Sequence, residues 1–487
     1  MNDVVNQLET SVEIVKRWGE TQLPNGKLLS DHLTFDGFSF WELIEPVLVL
    51  SYVPDALSGQ SSPLLFGRFR PHISLIKKNV LNLIKKYKIN NDRSLFRDKQ
   101  QPFLFLDFNR YMFRDVLQPV AQFLAENKNQ QSVVISDESC RYSTYGNLII
   151  QKTIWGFYDE QLKVEVKIQR KKMRYAISEL FEMNAFPLIF KEERKTLWPR
   201  MRNTFNWIFN YHFPLLIPQL IIAMHILKEY KPPIIISVDF AADPRKRIYS
   251  ILGRKLGIPV LEVQFSAISE ESVESRFLSA NKIATWGCNN KKFLKGHGIL
   301  DEQIAITGSP RHDSLVHMDI EEISKIRTRL GIPDQSLMVL CASTYQQKEY
   351  DNLWDTGLLT SMKKAVFEIS GKNIFLVIKP HPLEDVKNTK KLVPKSETII
   401  IVDAAENISE LTKACDIFLG FGSTATFDAL IANKLVVCPS FPGWIWSDIF
   451  INSNAVLVPK SKSEINNIFN EITKAKIKKI KTDLFPA

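Results

Sequence analysis

Short apolar runs alternate with helical stretches twice along this chain, and that repetition limits the available folds more than any single motif does. PFLFLDF (102–108) leads into the helical RDVLQPVAQFLAEN. SVVISDE (132–138) comes next, then a basic helical insertion near 160–230, then PPIIISVDF (232–240). RKRIYSILGRKLG reads as helix and IPVLEVQF (258–265) as strand, and NKIATWG (281–287) closes the first series. A second series runs through SLMVLCAST (336–344), NIFLVIKPHP (373–382), TIIIVD (398–403), DIFLGFG (416–422) and KLVVCPS (434–440). Strands alternating with helices predict parallel sheets with helical crossovers. At 487 residues one core is not enough, and two or three domains are expected. The expected architecture is α/β: two Rossmann-like lobes facing a cleft, with a helical N-terminal extension. The extension covers 1–100 and the first lobe 101–310. The second lobe covers 311–465, and a basic helix at 466–487 crosses back to the first.

Bulk properties exclude several classes. Apolar residues make up 45% and charged residues 24%, the balance of a globular protein. The formal charge of +10 favours anionic partners without choosing among nucleic acid, membrane and phosphorylated substrates. The N-terminus has no signal-peptide core, and the longest apolar stretch, Phe213 to Leu227, contains Gln219 and His225, short of a membrane span. Five scattered cysteines without C-x-x-C argue against disulfides and zinc and fit a reducing cytoplasm. H-E-x-x-H and D-x-D are both absent, so no metal and no cofactor is expected. Leu75, Ile76, Val80, Leu83 and Ile84 form a helical stripe flanked by Lys77, Lys78, Lys85 and Lys86. That stripe reads as a docked amphipathic helix, with contact to an anionic membrane or glycan as the sharper alternative.

Three local patterns carry chemistry. In DIFLGFGSTATFDALIANKLVVCPS a buried strand enters Gly420-Phe421-Gly422, and Ser423-Thr424 opens a helix. Glycine admits close backbone approach, and the hydroxyls, free N–H groups and helix dipole favour a phosphate. Asp428, four residues on, shares the helical face with Thr424 and is a candidate for ribose hydroxyls. The competing readings are a plain N-cap at Ser423 and a late G-x-G-x-x-A match. Lys379-Pro380-His381-Pro382 ends the strand NIFLVI, where prolines fix the backbone and a histidine can donate to a departing phosphate. The competing reading is a structural turn. In TGSPRHDSL (307–315), Ser309 and Arg311 are candidates for a phosphate or carboxylate, against an exposed linker turn.

In this order, WG, FLKGHGI, ITGSPRHDSL, CAST, VIKPHP and GFGSTATFDALIANKLVV resemble bacterial capsule and surface-polysaccharide transferases of the GT-B type. They are also similar to Kdo, sialic acid and polyol-phosphate transferases with His-Pro and Ser-Ser/Thr motifs. The resemblance covers roughly 230–470 and implies metal-independent transfer from a nucleotide held by the C-terminal lobe. His381, Ser423 and Thr424 would then hold the donor phosphate, with Lys379, Gly422, Asp428, Ser309 and Arg311 around them. Where relatives carry Gln-His-Gly, this chain has Gln264-Phe265-Ser266. Either Glu262, Asp239, Asp107 or Asp36 takes the acid/base role, the first two being the catalytic candidates beside His381, or the catalytic arrangement differs.

The expected function is transfer from a nucleotide-sugar donor, CMP-sugar before UDP- or CDP-linked, to a surface polysaccharide or glycolipid. The alternatives are a non-catalytic nucleotide- or carbohydrate-binding protein and a nucleotide-sugar epimerase. Expected partners are the donor, the glycan or glycolipid acceptor and, through basic helices, the membrane surface; nucleic acid is not expected. The expected place is the cytoplasm, with peripheral contact to the inner membrane as an extension.

Overall fold

The structure, a computed structural model, describes all residues except 1, 52–100, 109–110, 137–141, 144, 193–194, 242, 269–271, 273–275, 317–318, 345–355, 372, 383, 385, 445–449, 451–452, 454, 471 and 485–487. The basic stripe at 75–86 lies outside the described residues. The chain divides into two compact units, Met1–Pro310 and Arg311–Ala487.

Unit 1 is built on seven parallel strands. They are β1 (Phe103–Asp107), β2 (Ser132–Ser136), β3 (Ile149–Thr153), β4 (Ile235–Ser237), β5 (Val260–Val263), β6 (Lys282–Thr285) and β7 (Ile304–Ile306). Their order is β7-β6-β5-β4-β1-β2-β3, so the winding reverses between β1 and β4. The central strands are apolar throughout because helices cover both faces of a parallel sheet. Two strands were not expected. These are β3 and β7, and since β7 pairs with β6, β6 does not close the sheet.

Helices α1 (Asn2–Gly19) and α2 (Phe40–Ser51) share a continuous apolar core with this sheet, through Trp18, Trp41 and Leu48. The described N-terminal residues are therefore integral to the unit rather than appended. The basic insertion is likewise internal. Helix α3 (Glu160–Glu182) packs along α4 (Phe213–Tyr230), which packs on α5 (Pro244–Leu256). The continuous stretch Trp198–Tyr230, which includes α4, is long and apolar enough to cross a membrane, but most of it is buried inside the protein. Helix α5 shows how local chemistry sets an element's ends. Asp243 caps it by accepting from the Arg245 amide at 3.0 Å, Pro244 opens it, and Gly257, at φ 68°, stops it.

Glu45, on α2, carries a pKa raised to about 7, chiefly by burial, with Arg247 opposing and Glu42 reinforcing. A folded-state pKa above the usual 4.5 means the folded chain binds the extra proton. The stabilisation is complete below about pH 4.5 and is lost as pH rises to about 7. Glu45→Gln should therefore be more stable than the parent above pH 7, by about 2–3 kcal/mol, with the gap closing towards pH 4.5. Urea unfolding of both proteins across that range checks this; parallel curves would remove Glu45 as the source.

Unit 2 has five parallel strands: β8 (Leu337–Ala342), β9 (Ile374–Lys379), β10 (Ile399–Ile401), β11 (Ile417–Gly420) and β12 (Leu435–Val437). Their order is β10-β9-β8-β11-β12, the doubly wound arrangement with its reversal between β8 and β11. Four helices matter for the site: α6 (Thr356–Phe367), α7 (Val386–Leu392), α8 (Ile408–Ala414) and α9 (Ala425–Ile431). The tail helix α10 (Lys474–Leu484), expected to cross back to the first lobe, is built into unit 2. Its Ile477 is buried in that unit's core, and Lys481 donates to the Asn433 carbonyl.

Candidate functional site

The carboxyl edge of the unit 2 sheet gathers the sequence-derived motifs. Ala342, the last residue of β8, pairs in register with Lys379 on one side and Gly420 on the other. Three loops therefore leave the sheet side by side: Ser343-Thr344, Pro380-His381-Pro382 and Phe421 to Thr424. In open α/β sheets ligands bind beyond this edge, where the winding reverses, and the Ser-Thr loop stands at that reversal.

The Ser-Thr loop requires its glycines. A Cβ on Gly420 would come within 2.9 Å of Phe418 and of the Thr426 hydroxyl, closer than real contacts allow. Gly422 adopts φ 87°, a conformation L residues rarely tolerate. Trp444 Nε1 ties the loop by donating to the Phe421 carbonyl at 3.2 Å. Thr424 stands at the N-cap of α9 and makes no side-chain capping hydrogen bond. Ser423 and Thr424 are both partly exposed.

The His-Pro turn is held from below by a residue the sequence reading missed. Glu384 accepts from the His381 amide at 3.1 Å, from Thr389 Oγ1 of α7 at 2.6 Å and from Ser343 Oγ at 3.2 Å. It also pairs with Lys363 of α6 at 2.5 Å, both side chains buried. Four segments thus meet on one carboxylate. A carboxylate two residues past His-Pro was its only local signal, and Lys363 had none. Lys379, expected beside the donor phosphate, is buried, and its ammonium donates to the Ala404 carbonyl at 2.9 Å and to the Pro380 carbonyl at 3.3 Å. Burial lowers its pKa, against the pull of Asp403 and Glu406.

Asp428 and Arg311, expected as ribose and phosphate ligands, are brought to each other. Asp428 is fully buried on α9 and pairs with the Arg311 guanidinium through Oδ2. His312 Nε2 reaches Oδ1 at 3.0 Å; since a carboxylate only accepts, that nitrogen carries the proton. The short helix after Arg311 and His312, Asp313–Val316, packs on α8 and α9. Ser309, one residue before the end of unit 1, has its hydroxyl buried and without a hydrogen-bond partner among the described residues.

Unit 1 has its own reversal, between β1 and β4. Asp107 ends β1, buried, and accepts from the Tyr142 hydroxyl at 2.7 Å. Ser237 pairs in register with Glu262, and Asp239 follows with φ 54°. Asp239 and Glu262, both buried, line one small cavity with Gln264, Ser266 and Ser272, so two carboxylate candidates come together. Gln264 is fully committed there. Its Oε1 accepts from Thr285 at 2.5 Å, the Trp286 amide at 3.0 Å and Asn290 at 2.8 Å, and its Nε2 donates to Ser266. Phe265 packs edge-on against Phe113. Asp36 is placed elsewhere, in a hairpin turn where Gln169 and Lys172 of α3 hold it and lower its pKa.

Residues 265–438 match the family model described as CDP-Glycerol:Poly(glycerophosphate) glycerophosphotransferase. The matched segment contains the Arg311, His381 and Ser423-Thr424 motifs. Among solved structures, the chain is similar to UDP-GlcNAc 2-epimerase from Neisseria meningitidis bound to UDP-GlcNAc, at TM-score 0.48 and 12% identity, over 78% of this chain and 93% of that one. The Methanocaldococcus jannaschii UDP-GlcNAc 2-epimerase gives TM-score 0.47 and 12% identity over 77% and 94%. A variant of the wall teichoic acid polymerase TagF gives TM-score 0.49 and 11% identity over 86% and 93%. Comparison with curated proteins returns no match.

Proposed function

We propose that this chain transfers a polyol phosphate or a sugar from a cytidine-activated donor to a surface-polymer acceptor. The observation that carries the reading is the strand register, which sets His381 and Ser423-Thr424 on either side of Ala342 at one sheet edge. The matched family's description names CDP-glycerol as donor and poly(glycerophosphate) as acceptor, and CDP-polyol is accordingly preferred here to the CMP-sugar expected from sequence. In both chemistries an acceptor oxygen forms the new bond, the bond to CMP breaks, and negative charge builds on the departing CMP phosphate. His381 donates to that phosphate, and Ser423, Thr424 and the Gly422 backbone hold it. Lys379, Asp428 and Arg311 shape the loops rather than touch the donor. Asp239 and Glu262 are assigned to the acceptor hydroxyl, with one of them taking its proton.

The test combines melting curves with CMP release. CMP and CDP should raise the melting midpoint, since a ligand bound only by the folded chain stabilises it, and UDP should do so less. Replacing Ser423 and Thr424 together by Ala should weaken cytidine nucleotide binding by about 1–3 kcal/mol, with the unliganded midpoint kept. Unchanged affinity with collapsed stability would reduce the pair to structural residues. Indifference to every nucleotide would sink the donor assignment.

A further inference from the structure

We infer that Lys246 is a positioning residue for Asp239, and that Asp239 rather than Glu262 is the base for the acceptor. The inference rests on the assignment above of these two carboxylates to the acceptor hydroxyl. As the acceptor oxygen bonds to the transferred group and the bond to CMP breaks, the acceptor proton passes to the Asp239 carboxylate.

Lys246 lies in the first turn of α5 and is fully buried. Lysine is rarely buried so completely, and in such places an apolar side chain of similar volume is often no less stable. Stability alone therefore does not account for a cation here. Its ammonium donates to the Val238 carbonyl at 2.9 Å and sits 3.6 Å from the centre of the Phe113 ring. The neighbouring Asp243 carboxylate pairs with Arg245 at 2.6 Å.

Both contacts of the ammonium lead to the cavity that Asp239 and Glu262 line. The Val238 carbonyl and the Asp239 N–H belong to one planar peptide, so the group that holds the oxygen also sets the direction of the Asp239 amide. Asp239 follows with φ 54°, a left-handed conformation that L residues enter at a cost and that clusters at functional sites. The Ser237 hydroxyl is no substitute for the lysine, since it is 2.6 Å from the Leu106 carbonyl and 3.3 Å from that of Val238. On the other side, Phe113 meets Phe265 with ring centres 4.8 Å apart, and Phe265 lines the same cavity. Glu262 needs no such brace. It sits inside β5, where pairing with Ser237 and Ile283 already fixes its backbone.

The experiment measures CMP release by the full chain, with the donor and acceptor that the matched family's description names. Lys246→Met, Asp239→Asn and the double variant are compared with the parent. Lys246→Met should lower turnover at saturating acceptor by roughly 10–100-fold, the cost of about 1 Å of misplacement. The acceptor KM and the rise of the melting midpoint with CMP should stay as in the parent. Asp239→Asn, whose side chain also tolerates the left-handed backbone, should lower turnover by roughly 10²–10⁴-fold. In that background Lys246→Met should cost nothing more, because a residue acting only through another is silent once that one is gone. Parent-like turnover in a folded Lys246→Met protein overturns the inference, and so do losses that multiply in the double variant. A collapsed melting midpoint in both Lys246→Met and Lys246→Gln would make Lys246 a stability residue and overturn it equally. Parent-like turnover of Asp239→Asn removes Asp239 as the base and the inference with it. A parent that releases no CMP removes the transfer reading itself, an outcome distinct from an active parent indifferent to Lys246→Met.

Discussion

His381→Ala is expected to lower turnover by roughly 10²–10⁴-fold, the span for losing an acid/base or electrostatic group, while the protein stays folded. The structure gives a reason for the second half of that statement. The turn is secured through the His381 main chain, whose amide donates to Glu384 and whose carbonyl accepts from the Glu384 amide at 2.8 Å. Two prolines fix the backbone on either side. Removing the imidazole leaves all of this in place. The expected loss is in the rate because charge on the departing phosphate is largest in the transition state, where an aimed donor helps most. His381→Asn, which keeps a neutral donor, should retain part of the rate. The measurement is CMP release at saturating acceptor, with a melting curve for each variant. Parent-like turnover in a folded Ala variant would reduce His381 to a turn residue and remove the leaving-group assignment.

Asp428→Ala is expected to cost about 3–5 kcal/mol of unit 2 stability, the penalty for leaving a buried ionic partner unmatched. Asp428 is fully buried, and the Arg311 side chain it pairs with is only 12% exposed. The Arg311 Nε is already without a hydrogen-bond partner among the described residues, so the guanidinium has little to fall back on. His312 would lose its 3.0 Å contact at the same time. Urea unfolding of the parent and the variant measures the difference, read at the transition of unit 2. Nucleotide affinity separates this role from the one expected from sequence. If Asp428→Ala keeps its stability within about 1 kcal/mol, as an exposed ligand residue would, and loses nucleotide binding, Asp428 is a ribose ligand after all.

Much of the architecture was legible along the chain because it rests on short-range patterning. PFLFLDF, SLMVLCAST and NIFLVIKPHP became β1, β8 and β9, since an unbroken apolar run bounded by turn residues has few other uses in an α/β chain. The two edge strands of unit 1, β3 and β7, were not legible for the converse reason. β7 is only the three residues Ile304–Ile306, of which Ile304 alone is buried, too short a run to stand out, and its pairing with β6 decides it. Gly420, Gly422 and Thr424 announced a loop entering a helix, a local matter of backbone conformation and free N–H groups.

Tertiary structure decided which of these features meet. His381 and Ser423 lie on loops that flank the end of β8 because β9 and β11 both pair with that strand, and strand order leaves no mark on local periodicity. The same holds for buried charge. Asp428 and Arg311 are 117 residues apart, and each alone looks like a ligand residue. A desolvated carboxylate and guanidinium are costly singly and tolerable together, so the fold that buries Asp428 brings Arg311 to it. Glu384 draws in Lys363, Ser343 and Thr389 by the same logic. Gln264, read from sequence only as a departure from Gln-His-Gly, gathers Thr285, Trp286 and Asn290 because a buried amide must satisfy its hydrogen bonds. The sequence by itself determined the strands, the turns and the chemical types present. Only the packing chose their partners, because the cost of burying an unpaired polar group is set by everything around it and not by its neighbours in the chain.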